Sequence, residues 1–212
     1  MIKPEIRIMH LIRHTLTVAS MLLFLTPALQ TQAQGSATTF VKQKHSQLKQ
    51  LLKKPNSKGA QERIQKLLDA LIDYRELSKL ALSKHWQTRS TSEQDAFVEL
   101  LKELVQRNYR GNIKSTDQYK VAYLNESKRK GATVVRTEAR STKNRRAPAV
   151  LIDYSLQSKN NVWVVFDITT DAVSMVTNYR RQFNKIIKKD GWNGLMERMR
   201  KKVAAATSTS TS

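Results

Sequence analysis

The chain has 212 residues, 40 % of them hydrophobic, and 38 Lys and Arg against 17 Asp and Glu, a formal net charge of +21. That length holds one well-buried domain and crowds two, and the composition excludes both a disordered chain and a polytopic membrane protein. The absence of cysteine removes disulfides, thiolate catalysis and most structural zinc designs, while the charge suits nucleic acid or an anionic membrane surface.

At the N-terminus, Lys3, Arg7 and Arg13 precede the apolar stretch Leu16 to Leu25 and the small-residue site Thr31-Gln32-Ala33. This is the pattern of an export signal over residues 1–33, cleaved after Ala33. The alternative, a membrane anchor, meets the objection that the apolar run is about half the roughly 20 residues that span a bilayer. Without this leader, which carries three basic residues and one acidic, the mature surface keeps a charge of +19. Export makes a membrane the better partner for that charge.

After a polar joint, Phe40, Val41, Leu48, Leu51 and Leu52 recur with helical spacing, ending at Lys53-Lys54-Pro55-Asn56. A second helix from Gly59 carries Ile64, Leu67, Leu68, Leu71 and Ile72. Asp73 with Glu76 three residues later has the form of a capping box opening a third helix, Tyr74 to Trp86. Thr91-Ser92-Glu93-Gln94 reads as a second capping box, opening the longest helix, with Phe97, Leu100, Leu101, Leu104 and Val105, to Arg110, where Gly111 supplies a cap.

From Tyr119 the period drops to two, the strand signature. Tyr119, Val121 and Tyr123 share a face, and a polar turn over Asn125 to Gly131 leads into a second strand, Thr133 to Arg140. A third strand sets Val150, Ile152, Tyr154 and Leu156 on one side. A fourth sets Val162, Val164, Phe166 and Ile168 on one side, after the turn Ser158 to Asn161. Short turns favour an antiparallel meander. The helical period returns at Val173 with Val176, Tyr179 or Arg180, Phe183 and Ile187; Gly191 breaks it, and Trp192, Leu195, Met196 and Met199 form a last helix. Residues 204–212 read as a disordered tail, leaving 34–203 as the folded domain.

Helices, four strands, then helices, about six in all, imply an α+β domain: one curved antiparallel sheet whose apolar face is covered by helices. Four strands do not close a self-filled barrel, so a half-cone with a helical lid is expected, a shape able to leave a cavity. The sheet face (Val121, Val135, Val150, Ile152, Tyr154, Val164, Phe166) and the helical faces (Leu80, Leu101, Leu104, Val105, Val176, Phe183) either fill one another as an ordinary core or enclose that space.

Signals for catalysis are weak. The mature chain has only His45 and His85, neither in a ligand spacing, so no metal site is expected, and there is no GxSxG, GxGxxG or Walker loop. Asp167 and Asp153 stand singly in alternating strands, where a bond to a neighbouring loop explains an acid best. Gly191-Trp192-Asn193-Gly194 imitates a nucleic-acid-clamping GxxG loop, but a helix stop and restart is the plainer reading. Nucleic acid is not expected as a partner.

One extended pattern is more specific. Asp73-Tyr74-Arg75-Glu76-Leu77-Ser78-Lys79-Leu80-Ala81-Leu82 with His85-Trp86, Thr91-Ser92-Glu93-Gln94 with Phe97, and Val173-Ser174-Met175-Val176-Thr177-Asn178-Tyr179-Arg180-Arg181-Gln182-Phe183 resemble the periplasmic MlaC, or toluene-tolerance, family over residues 40 to 202. The blocks Val150 to Tyr154 and Trp163 to Asp167 fit that family's central strands.

The resemblance implies an NTF2-like or cystatin-like fold and a monomeric, non-enzymatic periplasmic carrier without cofactor. It implies a phospholipid held by its tails and shuttled between an outer-membrane lipoprotein complex and an inner-membrane ABC transporter with an MCE subunit. It also favours incomplete packing, making the thirteen residues of the two faces candidates for acyl-chain contact. Tyr179 and Arg180 then stand at the pocket mouth, where Arg180 either meets the phosphate or ties helix to sheet. The strongly basic surface and the Ser/Thr tail depart from the family pattern. The competing class is an exported basic protein that binds nucleic acid or anionic surfaces and has no lipid cavity.

Overall fold

The computed structural model describes residues 35–53, 59–112 and 118–208; the export signal and cleavage site expected over residues 1–33 lie outside them. The order is α1 (Ala37–Leu52), α2 (Ala60–Leu71), α3 (Tyr74–Leu82), a 3-10 turn (Ser83–His85), α4 (Thr91–Asn112), β1 (Tyr119–Arg129), β2 (Ala132–Ser141), β3 (Val150–Lys159), β4 (Val162–Thr170), β5 (Val173–Ser174) and α5 (Met175–Ser208). The expected α+β class holds; among the described residues there are five strands where four were predicted, and five α-helices, the last divided at Gly191 into the two predicted segments, where about six were expected.

The sheet is an antiparallel meander in the order β1-β2-β3-β4-β5. Its hairpins β1–β2, β3–β4 and β4–β5 turn on pairs of residues with positive φ: Lys130-Gly131, Asn160-Asn161 and Asp171-Ala172. That geometry matches the right-handed twist of the flanking strands. The turn predicted over Asn125 to Gly131 is therefore only its last two residues, and the polar run before it continues β1 as an edge strand. Charged edges discourage pairing with other chains. β5 escapes the sequence pattern because two residues cannot display an alternation.

Two bulges set the curvature. Tyr123 pairs with Thr137 and Asn125 with Arg136, which leaves Leu124 extra. Ser155 pairs with Asp167 and Leu156 with Val165, which leaves Phe166 extra. Each bulge bends its strand and shifts the side-chain phase by one. Hence the single face expected for Val162, Val164, Phe166 and Ile168 does not exist: Trp163 and Val165 precede the bulge on the side where Ile168 follows it, and all three belong to the cluster beneath α1.

The caps explain the helix starts. The Ser36 hydroxyl accepts from the Thr39 amide at 3.1 Å, and Asp73 accepts from the Glu76 amide at 3.0 Å. At α4 the cap is one residue earlier than predicted. Ser90 accepts from the Glu93 amide at 3.2 Å, and the Ser90 amide donates to the Glu93 carboxylate at 2.9 Å, a reciprocal box. α5 is interrupted where the sequence indicates, since Gly191 (φ 69°, ψ −174°) leaves helical geometry. Beyond it the helix runs to Ser208, so Ala204 to Ser208 are helical where a disordered tail was predicted; three consecutive alanines favour that outcome.

The core is divided. One cluster joins α3, α4 and α5 through Leu77, Leu82, Phe97, Leu101, Val105, Phe183 and Leu195. A second seats Ala37 and Val41 of α1 on Val135, Leu156 and Val165 of the sheet. A third packs α1 against α2 through Leu52, Ile64 and Leu68. No described helix is long and apolar enough to cross a membrane.

Candidate functional site

The first half of α1 is fastened to the sheet. Glu126 of β1 accepts from the Thr38 amide at 2.8 Å and the Thr38 hydroxyl at 2.7 Å, and the Trp163 indole donates to the Gly35 carbonyl at 2.7 Å. Farther along, His45 sits between two tyrosines, with Nδ1 2.7 Å from the Tyr123 hydroxyl and Nε2 3.0 Å from that of Tyr154. A neutral imidazole has one donor and one acceptor nitrogen, so one tyrosine donates to it and the other accepts from it.

Past His45 the helix and sheet separate around a half-open pocket of about 270 Å³. His45, Leu48 and Lys49 of α1 form one wall; Tyr119 and Val121 of β1, Ala139 of β2, and Val150, Ile152 and Tyr154 of β3 form the other. The register explains the smooth sheet wall. Val121 pairs with Ala139 and Ala139 with Val150, so the smallest of three adjacent side chains lies in the middle and deepens the floor. A second recess, between α4, the β4–β5 edge and the start of α5, is lined by Val105, Ile168, Thr170, Val173, Met175 and Tyr179 among others. Thr170 is the register partner of Ile152, so this recess borders the same face of the sheet.

Of the fifteen residues singled out in the sequence, Val121, Val150, Ile152 and Tyr154 line the first pocket, and Val105 and Tyr179 reach the second. Val135 packs under α1. Leu80, Leu101, Leu104, Val176 and Phe183 pack with Val105 in the all-helical cluster, so the helical faces mainly fill one another. Val164 pairs with Gln157 on the side of the sheet opposite Tyr154, and Phe166 is the bulge residue; neither lines either pocket. His45, Leu48, Lys49, Tyr119 and Ala139 went unremarked as lining residues. Their signal was His45 itself, four residues after Val41 and three before Leu48 on the apolar stripe of α1.

Arg180 ties helix to helix: its Nε donates to the Leu80 carbonyl at 2.9 Å. A charged donor to a carbonyl contributes about 2 kcal/mol. Arg180→Ala is therefore expected to lower stability by about that amount in urea titrations and to leave bound lipid unchanged. Asp167 likewise holds a neighbouring segment, accepting from the Ser174 hydroxyl at 2.6 Å and the Val176 amide at 3.0 Å at the start of α5. Asp153 is gripped by Arg136 on the adjacent strand at 2.8 and 2.7 Å, which holds its carboxyl below the usual carboxylate range.

Burial, reinforced by the charge of Lys49, lowers the His45 pKa to about 4. Unfolded histidine titrates near 6.5, so between pH 6.5 and 4 the unfolded chain takes up a proton that the folded one refuses. Stability is then complete above that window and is lost as pH falls through it. The loss from His45 at pH 5 is about 2 kcal/mol. His45→Gln should flatten the pH 7 to pH 5 stability difference by that amount in urea titrations at both pH values; an unchanged difference would show that the ring is not held neutral. Burial also raises the pKa of Tyr123. Among the described residues no three His, Cys, Asp or Glu side chains gather closely enough to hold a metal ion.

The profile of the family described as MlaC protein matches residues 39–201. The chain belongs to the MlaC family. Among solved structures, a phospholipid-binding protein from Ralstonia solanacearum, determined in complex with a phospholipid, superposes with a TM-score of 0.69 at 22 % sequence identity. The overlap covers 81 % of this chain and 99 % of that one, so the two share a fold. No curated protein matches. In this chain the pocket between α1 and the sheet combines apolar walls with unfilled volume.

Proposed function

We propose that the chain is a phospholipid carrier, not an enzyme, that holds acyl chains in the pocket between α1 and β1–β3. The observation that carries this reading is an apolar pocket of about 270 Å³ between α1 and the sheet, in a chain that belongs to the MlaC family. The Ralstonia protein of the same fold was found with a phospholipid, which supports the same ligand class here. Two chains of about sixteen carbons expose some thirty methylenes, and keeping them bare in water costs on the order of 25 kcal/mol at roughly 0.8 kcal/mol per group. A carrier has to remove nearly all of that.

The pocket lies at the lower edge of the roughly 300–1,000 Å³ typical of small-molecule sites. It therefore accepts part of a lipid as it stands, and the last part of α1, beyond the sheet tethers at Gly35, Thr38 and His45, is the wall that yields to admit more. Because a bilayer relieves the same hydrophobic cost as the pocket, transfer is close to balanced, and direction is imposed by partners. Together with the export-signal pattern and family membership, this supports a periplasmic carrier shuttling between an outer-membrane lipoprotein complex and an inner-membrane ABC transporter with an MCE subunit.

The test is direct. Protein purified without detergent should release phospholipid on organic extraction, seen by mass spectrometry in near-stoichiometric amount. Turnover products in place of intact lipid would indicate an enzyme. Extracts free of lipid, from protein that also fails to acquire it from vesicles, would leave the competing class of basic binding protein.

A further inference from the structure

Resting on the carrier reading, we propose that a basic rim at the sheet end of the pocket, Lys49, Lys143, Arg145 and Arg146, docks the protein on anionic bilayer surfaces. Tyr119 and Val150 line the pocket, and Tyr119 pairs with Ser141 at the end of β2. The segment 142–149, which joins β2 to β3, thus leaves and re-enters the sheet beside the pocket. From Arg140 to Arg146 the sequence is Arg-Ser-Thr-Lys-Asn-Arg-Arg, with four cations and no acid.

This segment is held in shape. Thr142 donates through its amide (2.7 Å) and its hydroxyl (2.8 Å) to the Gln118 carbonyl. The Asn144 amide donates to the Ser141 hydroxyl at 3.0 Å, and the Asn144 side chain accepts from the Arg146 amide at 3.1 Å. The polar bonds of the loop are thus satisfied by backbone and short side chains, and Lys143, Arg145 and Arg146 stay exposed. Among the described residues none of these three forms an ion pair, whereas Arg140, on the other face of the sheet, is paired with Glu138 at 2.7 Å.

Lys49 adds the same sign from the α1 wall. A surface of this sign lowers its energy against anionic headgroups within a Debye length, and docking there brings the opening between α1 and β1 against the bilayer from which acyl chains leave.

Vesicle flotation with the purified chain tests this. Phosphatidylcholine vesicles containing one third phosphatidylglycerol should bind it, with affinity falling steeply between 50 and 300 mM salt, and pure phosphatidylcholine vesicles should not. The triple variant Lys143→Gln, Arg145→Gln, Arg146→Gln is expected to weaken binding roughly 100-fold. Removing three exposed charges from α5, by Lys185→Gln, Lys188→Gln and Lys189→Gln, should change it by less than about fivefold. Equal losses in the two triples would mean diffuse attraction and overturn the proposal, as would absence of binding, or equal binding to neutral vesicles. Organic extraction separates the two readings: lipid-loaded protein that ignores vesicles sinks the docking surface alone, whereas protein unable to hold lipid sinks the carrier.

Discussion

Ala139→Trp is expected to cut co-purified phospholipid by at least tenfold while leaving the fold intact. Ala139 is the floor of the pocket, nearly buried at 5 % exposure, with Val121 and Val150 as its register partners on either side. An indole projecting from this position enters the unfilled space that the carrier reading gives to an acyl chain. Overpacking of a filled core costs about 1–3 kcal/mol, but here the added volume meets a void, and Trp suits a strand. Extracted phosphorus per protein and thermal melting are measured together. Undiminished lipid in a folded variant would place the ligand elsewhere, and the recess beside Tyr179 would become the site. Ala139→Phe should give an intermediate loss.

How much of this was legible in the sequence depended on whether a residue's role is local. Strand positions follow from alternation, so Val121, Val150, Ile152 and Tyr154 were identified as one face and do line the pocket. Val164 and Phe166 failed because one extra residue in β4 reverses the phase, and nothing in Val-Trp-Val-Val-Phe-Asp marks which residue is extra. The helical candidates were correctly read as apolar, but an amphipathic stripe does not say what it faces. Leu101 and Phe183 chose each other's helices over the sheet. The remaining wall came from α1, whose stripe contains a histidine; a polar ring among Val41, Leu48 and Leu52 signals a buried hydrogen-bonding partner, and Tyr123 and Tyr154 provide it. Ala139 carried no signal, since smallness matters only once its neighbours are known.

The second large effect concerns the scaffold. Phe97→Ala should destabilise the protein by about 4 kcal/mol, in the range of other buried Phe truncations and a large share of the 5–15 kcal/mol that holds a typical domain. Phe97 is fully buried and meets Phe183 edge-to-face, with centroids 5.4 Å apart at 84°. It also touches Trp192, tilted at 35° with centroids 5.8 Å apart. Phe183 precedes the break at Gly191 and Trp192 follows it, so one ring on α4 holds both halves of α5. Aromatic pairs of this kind add about 0.5–1.5 kcal/mol beyond burial. Truncation leaves a cavity next to a kink whose angle no longer has a template. Urea denaturation monitored by Trp fluorescence and by circular dichroism should give a lower midpoint by both probes, with Phe97→Leu recovering more than half of the loss. Because Phe97 lines neither pocket, folded variant protein should still carry lipid. A loss below about 1 kcal/mol would show that the two halves of α5 dock independently of this ring.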